Sequence, residues 1–470
     1  MAENHACRCQ ARSINMLSDD VLLSIFDFYL DEASDKTYLK ESIERWQSLA
    51  HVCRRWRSTV FGSPRRLNLR IGCTHKTPLK DLLDIWPALP LIICGRAKGS
   101  VDNVTAILEH RDRVRQINLW KLPSSHLEKV LAAMQVPFPE LTHLDLRSHD
   151  ETVVPDVPDS FLGGSAPRLE VLSFNRVPFP GLPKLLLSAT HLVSLRIHEI
   201  PHQGYFSPEA IVTALSALTR LRFLSLKLRC PSSRPNRKSR RPPPKTRAVL
   251  PIVTFSFKGA REYFEDIVAR IDVPQINELS INFFYDVEFG THLIQLIGRT
   301  PTLGVFETAR LLFMKSSARV ELLSQTPGSG VLAVSLSCSE LEWQISALEQ
   351  ACTSSLPLLS SLEDLYISEH KYPRLCWPDN IESTPWLELL HLFTSVKNLY
   401  LSGEVAPRIV PALQDPVGGT TTEVLPSLQN IFLEERLSSG PVQEGIAQIV
   451  AERQIASHPI AVSHWKNPLK

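Results

Sequence analysis

A six-residue apolar pattern, leucine-x-x-leucine-x-leucine with other apolar residues allowed, recurs along most of this chain and limits its folding more than any other feature. Clear copies are Val114-Ile117-Leu119, Leu141-Leu144-Leu146, Leu169-Leu172-Phe174, Leu192-Leu195-Ile197 and Leu221-Leu224-Leu226. The pattern resumes at Leu250-Val253-Phe255, Ile276-Leu279-Ile281, Leu362-Leu365-Ile367, Val396-Leu399-Leu401 and Leu428-Ile431-Leu433. Fainter copies are Leu89-Ile92-Cys94, Leu303-Phe306 and Val331-Val334-Leu336. The spacing stays between 23 and 34 residues over thirteen copies. One strand and its return segment cannot bury the apolar edge alone, so such units must stack on one another.

This period is the signature of leucine-rich repeats, and it accounts for the 67 leucines among 470 residues. Many return segments read as helices: residues 127–135, 182–191, 209–220, 263–271, 292–299 and 386–395 carry apolar side chains at 3–4 spacing. The expected fold is therefore α/β: an irregular solenoid with parallel strands on a concave side and helices or loops on the convex side. The position three after the last leucine holds His149, Val177, Ile200, Arg229 and similar residues, so no asparagine ladder is expected there. Residues alternating with the leucines face the concave wall. The candidate target-binding residues are Trp120, His143, Asp145, Arg147, Arg196, Phe223, Lys227, Glu278, Asp364, Tyr366, Asn398, Tyr400 and Phe432. Aromatic rings, amides and both charge signs suit protein binding, although any solvated sheet face also needs polar residues.

Ahead of the repeats lies a short helical region. Ser18 is a natural N-cap, with Asp19 and Asp20 in the first turn. Val21, Leu22, Ile25, Phe26 and Tyr29 come next at helical spacing, and a second stripe runs through Trp46, Leu49, Val52, Cys53 and Trp56. These stripes either pack on each other and on the next domain or keep part of their apolar face for a partner.

Met16-Leu17-Ser18-Asp19-Asp20-Val21-Leu22 with Ile25-Phe26 resembles the opening of an F-box, and Val52-Cys53-Arg54-Arg55-Trp56-Arg57 resembles its close. The continuation through Phe61, Thr77-Pro78 and Trp86-Pro87 to Cys94 is similar to the large F-box family of mushroom-forming fungi. Ser18 replaces the usual proline, and the segment from Asp31 to Arg45 is longer than in a minimal F-box. The resemblance implies that residues 13–62 dock on a Skp-type adaptor through Leu17, Val21, Leu22, Ile25, Phe26, Leu49, Val52 and Trp56. Through that adaptor the chain would join a cullin–RING ubiquitin ligase as its substrate-recognition subunit. The alternative is a repeat scaffold that binds a protein partner without any ligase.

The expected organisation is a disordered start (1–12), the F-box module (13–62), a repeat domain (63–455) and a C-terminal tail (456–470). Residues 229–247 carry eight basic residues, no acidic one and five prolines, and read as an exposed loop in the repeat domain. Within it Arg237, Lys238, Arg240 and Arg241 could form a nuclear import signal or contact an acidic partner, or merely solvate an insertion. The formal net charge is +2, and −6 without that loop, a balance that argues against a dedicated nucleic-acid binder. Nine cysteines scattered without a C-x-x-C pair suit reduced thiols inside a cell. No signal-peptide core or 18-residue apolar run occurs, so the expected location is intracellular, cytoplasmic or nuclear, with no membrane partner.

Catalysis, cofactor and metal are not expected. His198-Glu199-Ile200-Pro201-His202 matches a zinc-protease string, but that chemistry needs both histidines on one helical face, and Pro201 interrupts it. Neither a nucleophile elbow nor a phosphate loop is present.

Overall fold

The computed structural model describes residues 16–31, 39–63, 70–73, 83, 88–96, 101–150, 154–229, 246–284, 291–324, 330–338, 340–354, 359, 361–370, 384–414, 424–434 and 440–466. The expected disordered start and the import-signal residues Arg237, Lys238, Arg240 and Arg241 lie outside them. The chain divides into two compact units, Met1–Val153 with Ser160–Gly163, and Val154–Asp159 with Gly164–Lys470.

The first unit opens with three helices, α1 (Asp19–Asp31), α2 (Leu39–Val52) and α3 (Arg54–Gly62). Ser18 begins α1 as expected, its Oγ accepting from the Val21 N–H at 3.4 Å. Asp19 then pairs with Arg55 of α3 at 2.8 Å, fastening the start of α1 to α3. Between the helices, Leu22, Phe26, Trp46, Leu49 and Ala50 are buried, and the Phe26 and Trp56 rings meet at 4.8 Å. Trp46 ties this module to the entry of the first strand by donating its Nε1–H to the Arg70 carbonyl at 2.6 Å. Four parallel strands come next: β1 (Ile71–Cys73), β2 (Leu91–Arg96), β3 (Val114–Leu122) and β4 (His143–Ser148), paired in chain order. The returns are α4 (Val101–Leu108) and α5 (Ser124–Ala133), which pack together.

The second unit repeats the scheme. Its strands are β5 (Val171–Asn175), β6 (Ser194–Ile200), β7 (Phe223–Leu228), the short β8 (Ala248–Val249), β9 (Thr254–Gly259), β10 (Ile271–Asp272) and β11 (Glu278–Phe283). They continue with β12 (Thr308–Met314), β13 (Ser317–Leu323), β14 (Val331–Ser337), β15 (Asp364–Glu369), β16 (Asn398–Leu401), β17 (Asn430–Glu434) and β18 (Ala461–Trp465). The helices are α6 (Leu182–Leu186), α7 (Pro208–Ser216), α8 (Arg261–Val268), α9 (Thr291–Arg299), α10 (Leu341–Ser354), α11 (Thr384–His391), α12 (Ala406–Gln414) and α13 (Pro441–Ile455). Each of the six return segments expected as helical carries one of these helices or α5. The unit is thus a leucine-rich-repeat-like α/β solenoid of strands backed by helices.

Inward leucines of neighbouring repeats meet in register. Leu195 faces Leu224, which faces Phe255, and Phe255 faces Leu279, all fully buried. Phe264 of α8 closes this core against Phe255, Phe257 and Phe283, with ring centroids 4.9–5.9 Å apart. The helices are cross-linked too: Glu265 of α8 accepts from the His292 and Leu293 N–H groups at 3.0 and 3.3 Å, capping the start of α9.

Four features depart from the sequence expectation. In the second unit's main sheet the order is β5-β6-β7-β9-β11-β14-β13-β12-β15-β16-β17-β18, so β13 runs antiparallel to both its neighbours. The two-residue turn at Lys315 and Ser316 leaves the chain no room for a crossover, and a hairpin forms instead. The faint copies there are misplaced: Ala309 and Leu311, not Phe306, align with Leu365 and Ile367, while Leu332 and Val334 align with Leu279 and Ile281. The copy at Leu250 is shifted by two residues, since Phe255 and Phe257 align with Leu224 and Leu226. Finally, residues 456–470 are not merely a tail, because β18 adds a parallel strand to β17.

Candidate protein-binding surfaces

On the helical module the eight sequence candidates fall into two groups. Leu22, Phe26 and Leu49 are at 0, 0 and 8% exposure, inside the module, and cannot touch a partner. Leu17 and Trp56 are half-buried. Val21, Ile25 and Val52 are 45, 44 and 59% exposed. Phe28 and Tyr29, absent from the eight, are exposed as well, so that α1 presents Val21, Ile25, Phe28 and Tyr29 at i, i+4, i+7 and i+8. Those positions form one stripe of a 3.6-residue helix. The sequence marked both halves of α1 as apolar, and the docking of α2 and α3 decides which half is buried.

On the open face of the first unit, Trp120 is half-buried against Ile92 and Cys94. His143 Nδ1 lies 2.8 Å from Thr142 Oγ1 and 3.4 Å from Gln116 Nε2. Asp145 accepts from Arg147 Nε at 3.0 Å and from its Nη2 at 2.6 Å. Each charge of this pair is thus already answered by its neighbour.

The second unit brings its candidates together in rows. Tyr366, Tyr400 and Phe432 occupy equivalent positions on β15, β16 and β17. Tyr366 stacks on Tyr400 at 4.1 Å and Tyr400 on Phe432 at 4.4 Å, each pair within 7° of parallel. Arg310 lies 5.7 Å from the Tyr366 ring, and Trp465 of β18 meets Tyr366 and Tyr400 edge-on at 5.6 and 5.4 Å. Burial pushes the Tyr400 hydroxyl above the usual phenol range, Tyr366 beside it adding to the effect. Burial also raises Tyr366, opposed by its hydrogen bond to Tyr400.

Beside these rings runs a second row. Asn398 Nδ2 donates to Asp364 Oδ1 at 2.7 Å, and Asn430 Nδ2 donates to Asn398 Oδ1 at 2.8 Å. An amide ladder therefore exists, on the open face rather than at the repeat position where it was considered. On β6 and β7, Arg196 lies 4.6 Å over the Phe223 ring and Lys227 is half-buried. Glu278 is exposed at the start of β11. Sequence reasoning missed Lys258, Arg310 and Trp465: the first two sit in misplaced repeats, and the third in the supposed tail.

Glu199 takes a left-handed conformation (φ 50°) at an irregularity in β6. Within the zinc-protease-like string, His198 Nε2 meets Ser225 Oγ at 2.8 Å while His202 packs on Tyr205. Among the described residues no group of three or more His, Cys, Asp or Glu could hold a metal ion, and no helix is long and apolar enough to cross a membrane.

No protein-family model matches this chain, and neither does any curated protein. A solved structure similar to it is the leucine-rich repeat-containing protein LegL7 from Legionella pneumophila, at 13% identity and a TM-score of 0.28, covering 82% of this chain and 98% of that one. So loose a likeness carries no argument, and the fold stands on the strand order alone.

Proposed function

We propose that this chain is an F-box substrate receptor: it binds a Skp-type adaptor through residues 13–62 and a protein target through the open faces of its repeat strands. The observation that carries the reading is the outward stripe of α1. Val21, Ile25 and Phe28 are 44–72% exposed inside a motif resembling an F-box, although the same helix buries Leu22 and Phe26 fully. Keeping large apolar side chains in water is unfavourable unless a partner covers them. The proposed adaptor face is thus Val21, Ile25, Phe28, Tyr29 and Val52, with Leu22, Phe26 and Leu49 holding the module together.

The chain does no chemistry in this reading. It raises the effective concentration of target lysines near a loaded ubiquitin-conjugating enzyme. Such a receptor works in the cytoplasm or nucleus.

The test is co-expression with a fungal Skp-type adaptor. A soluble complex should form and be lost in Ile25→Asp. Absence of any complex with the unaltered chain would leave the ligase-independent scaffold as the reading.

A further inference from the structure

On the third and fourth strands of the second unit's main sheet two lysines stand side by side. Lys227 of β7 and Lys258 of β9 are directly paired positions on adjacent parallel strands. Like charges on such positions repel and destabilise the pairing. One carboxylate relieves them: Glu199, 3.1 Å from Lys258 Nζ. Lys227 has no carboxylate partner among the described residues, and neither has Arg196 on the neighbouring strand β6, which is held over the Phe223 ring instead. Three cations on three consecutive strands thus share a single counter-charge.

The surroundings are built for hydrogen bonding as well as for charge. Ser225, Ser256 and Ser280 are in register across β7, β9 and β11, and Asn282 pairs with Lys258 in the adjacent row. Ser256 and Ser280 thus set short hydroxyl side chains in the row next to the two lysines. The cationic row does not continue across the sheet. It passes through Asn282 and Ser335 to Arg319, which is already paired with Glu321 at 2.8 Å. Strands lie about 4.8 Å apart, so three of them span roughly 10 Å, the length of about three extended residues. That is too short a track for a nucleic-acid backbone and fits a brief block of acidic side chains.

Resting on the reading of the open face as the target surface, we infer that Arg196, Lys227 and Lys258 form an acidic-peptide site. Its occupant is an extended segment of the target carrying a block of Asp and Glu residues. The aspartates and glutamates replace the counter-charges the sheet lacks, and their oxygens accept from the lysines, the guanidinium and the half-buried Ser256 and Ser280 hydroxyls.

Fluorescence anisotropy on the full chain tests this with a labelled Gly/Ser peptide of about twelve residues holding four central acidic residues. A second peptide has Gln and Asn in their place, and a third probe is a single-stranded RNA of similar length. The acidic peptide should bind, weaken as salt rises, and lose about tenfold in affinity in Lys227→Glu and severalfold in Lys227→Gln, while Lys184→Gln on the exposed side of α6 leaves its binding unchanged. Circular dichroism checks that each variant is folded. Equal binding of the acidic and amide peptides, no effect of either Lys227 variant, or Lys227-dependent preference for RNA would overturn the inference. Adaptor binding is measured on the same preparation. Adaptor capture without peptide binding sinks the acidic-peptide site alone, whereas peptide binding without adaptor capture sinks the receptor reading and keeps the site.

Discussion

Asn398 is the centre of the polar row on β15–β17, and replacing it isolates what that row contributes. Its amide donates to Asp364 at 2.7 Å and accepts from Asn430 at 2.8 Å, and Asp364 is only 9% exposed. Asn398→Leu removes one bond to a carboxylate and one between amides, so that Asp364 has one donor fewer in a nearly dry place. A buried group that loses its partner costs about 1–3 kcal/mol, more when charged, so the expected loss is about 2–4 kcal/mol. Asn398→Asp keeps the shape but sets two carboxylates at hydrogen-bond distance. Both cannot ionise cheaply there, so the folded variant takes up a proton that the unfolded chain releases. Its stability must therefore fall as pH rises above the ordinary carboxylate range and recover towards that of the unaltered protein as pH drops to about 4. Hydrogen exchange at β16, measured from pH 4 to 8 after correction for intrinsic rates, reads the effect locally and does not depend on cooperative unfolding of both units. Protection in Asn398→Asp that ignores pH, or Asn398→Leu within about 0.5 kcal/mol of the unaltered protein, would refute the reasoning.

Other perturbations probe the core, the helix caps and the helical module. Phe264→Ala should cost about 3–5 kcal/mol, read by urea unfolding, because three phenyl rings are left around the space it vacates. Burial raises the Glu265 carboxyl above its usual value, against the pull of two backbone N–H groups. The folded state then holds that proton more tightly than the unfolded one, so this group's contribution to stability falls as pH climbs through the raised value. Glu265→Gln should flatten that part of a thermal-stability profile, and Glu265→Ala should speed exchange in α9 by removing a cap worth about 1 kcal/mol. On α1, Phe26→Ala should destabilise the helical module by about 3–5 kcal/mol, whereas Ile25→Asp should leave its melting within about 0.5 kcal/mol of the original.

How much of the fold and of the candidate surfaces was legible in the sequence depended on whether the signal ran along the chain or across it. Leu224 with Leu226 and Leu279 with Ile281 announced their strands because spacing within one segment fixes which residues point inward. At Leu250 a second apolar residue met the pattern two positions early, which made Phe255 the last anchor and hid Phe257 and the outward Lys258. The hairpin had its own signal, since the buried Ala309, Leu311 and Phe313 alternate with half-buried neighbours, as do Ala318, Val320 and Leu322. Its turn lacks the glycine or asparagine that usually marks one, and the repeat period masked the alternation. The Asp364–Asn398–Asn430 row and the Tyr366–Tyr400–Phe432 stack join residues more than thirty positions apart, and only strand register brings them together. On α1 the helical period placed Ile25 and Phe26 in the same apolar set, and only packing against α2 and α3 separates the core residue from the exposed one.

Capture of a fungal Skp-type adaptor by the intact chain, quantified beside Ile25→Asp and Val21→Asp variants of unchanged melting temperature, tests the proposed role most directly. The account predicts a stoichiometric complex with the unaltered protein and at least tenfold weaker capture by either variant. A folded protein that never retains the adaptor, or variants that retain it fully, would contradict it.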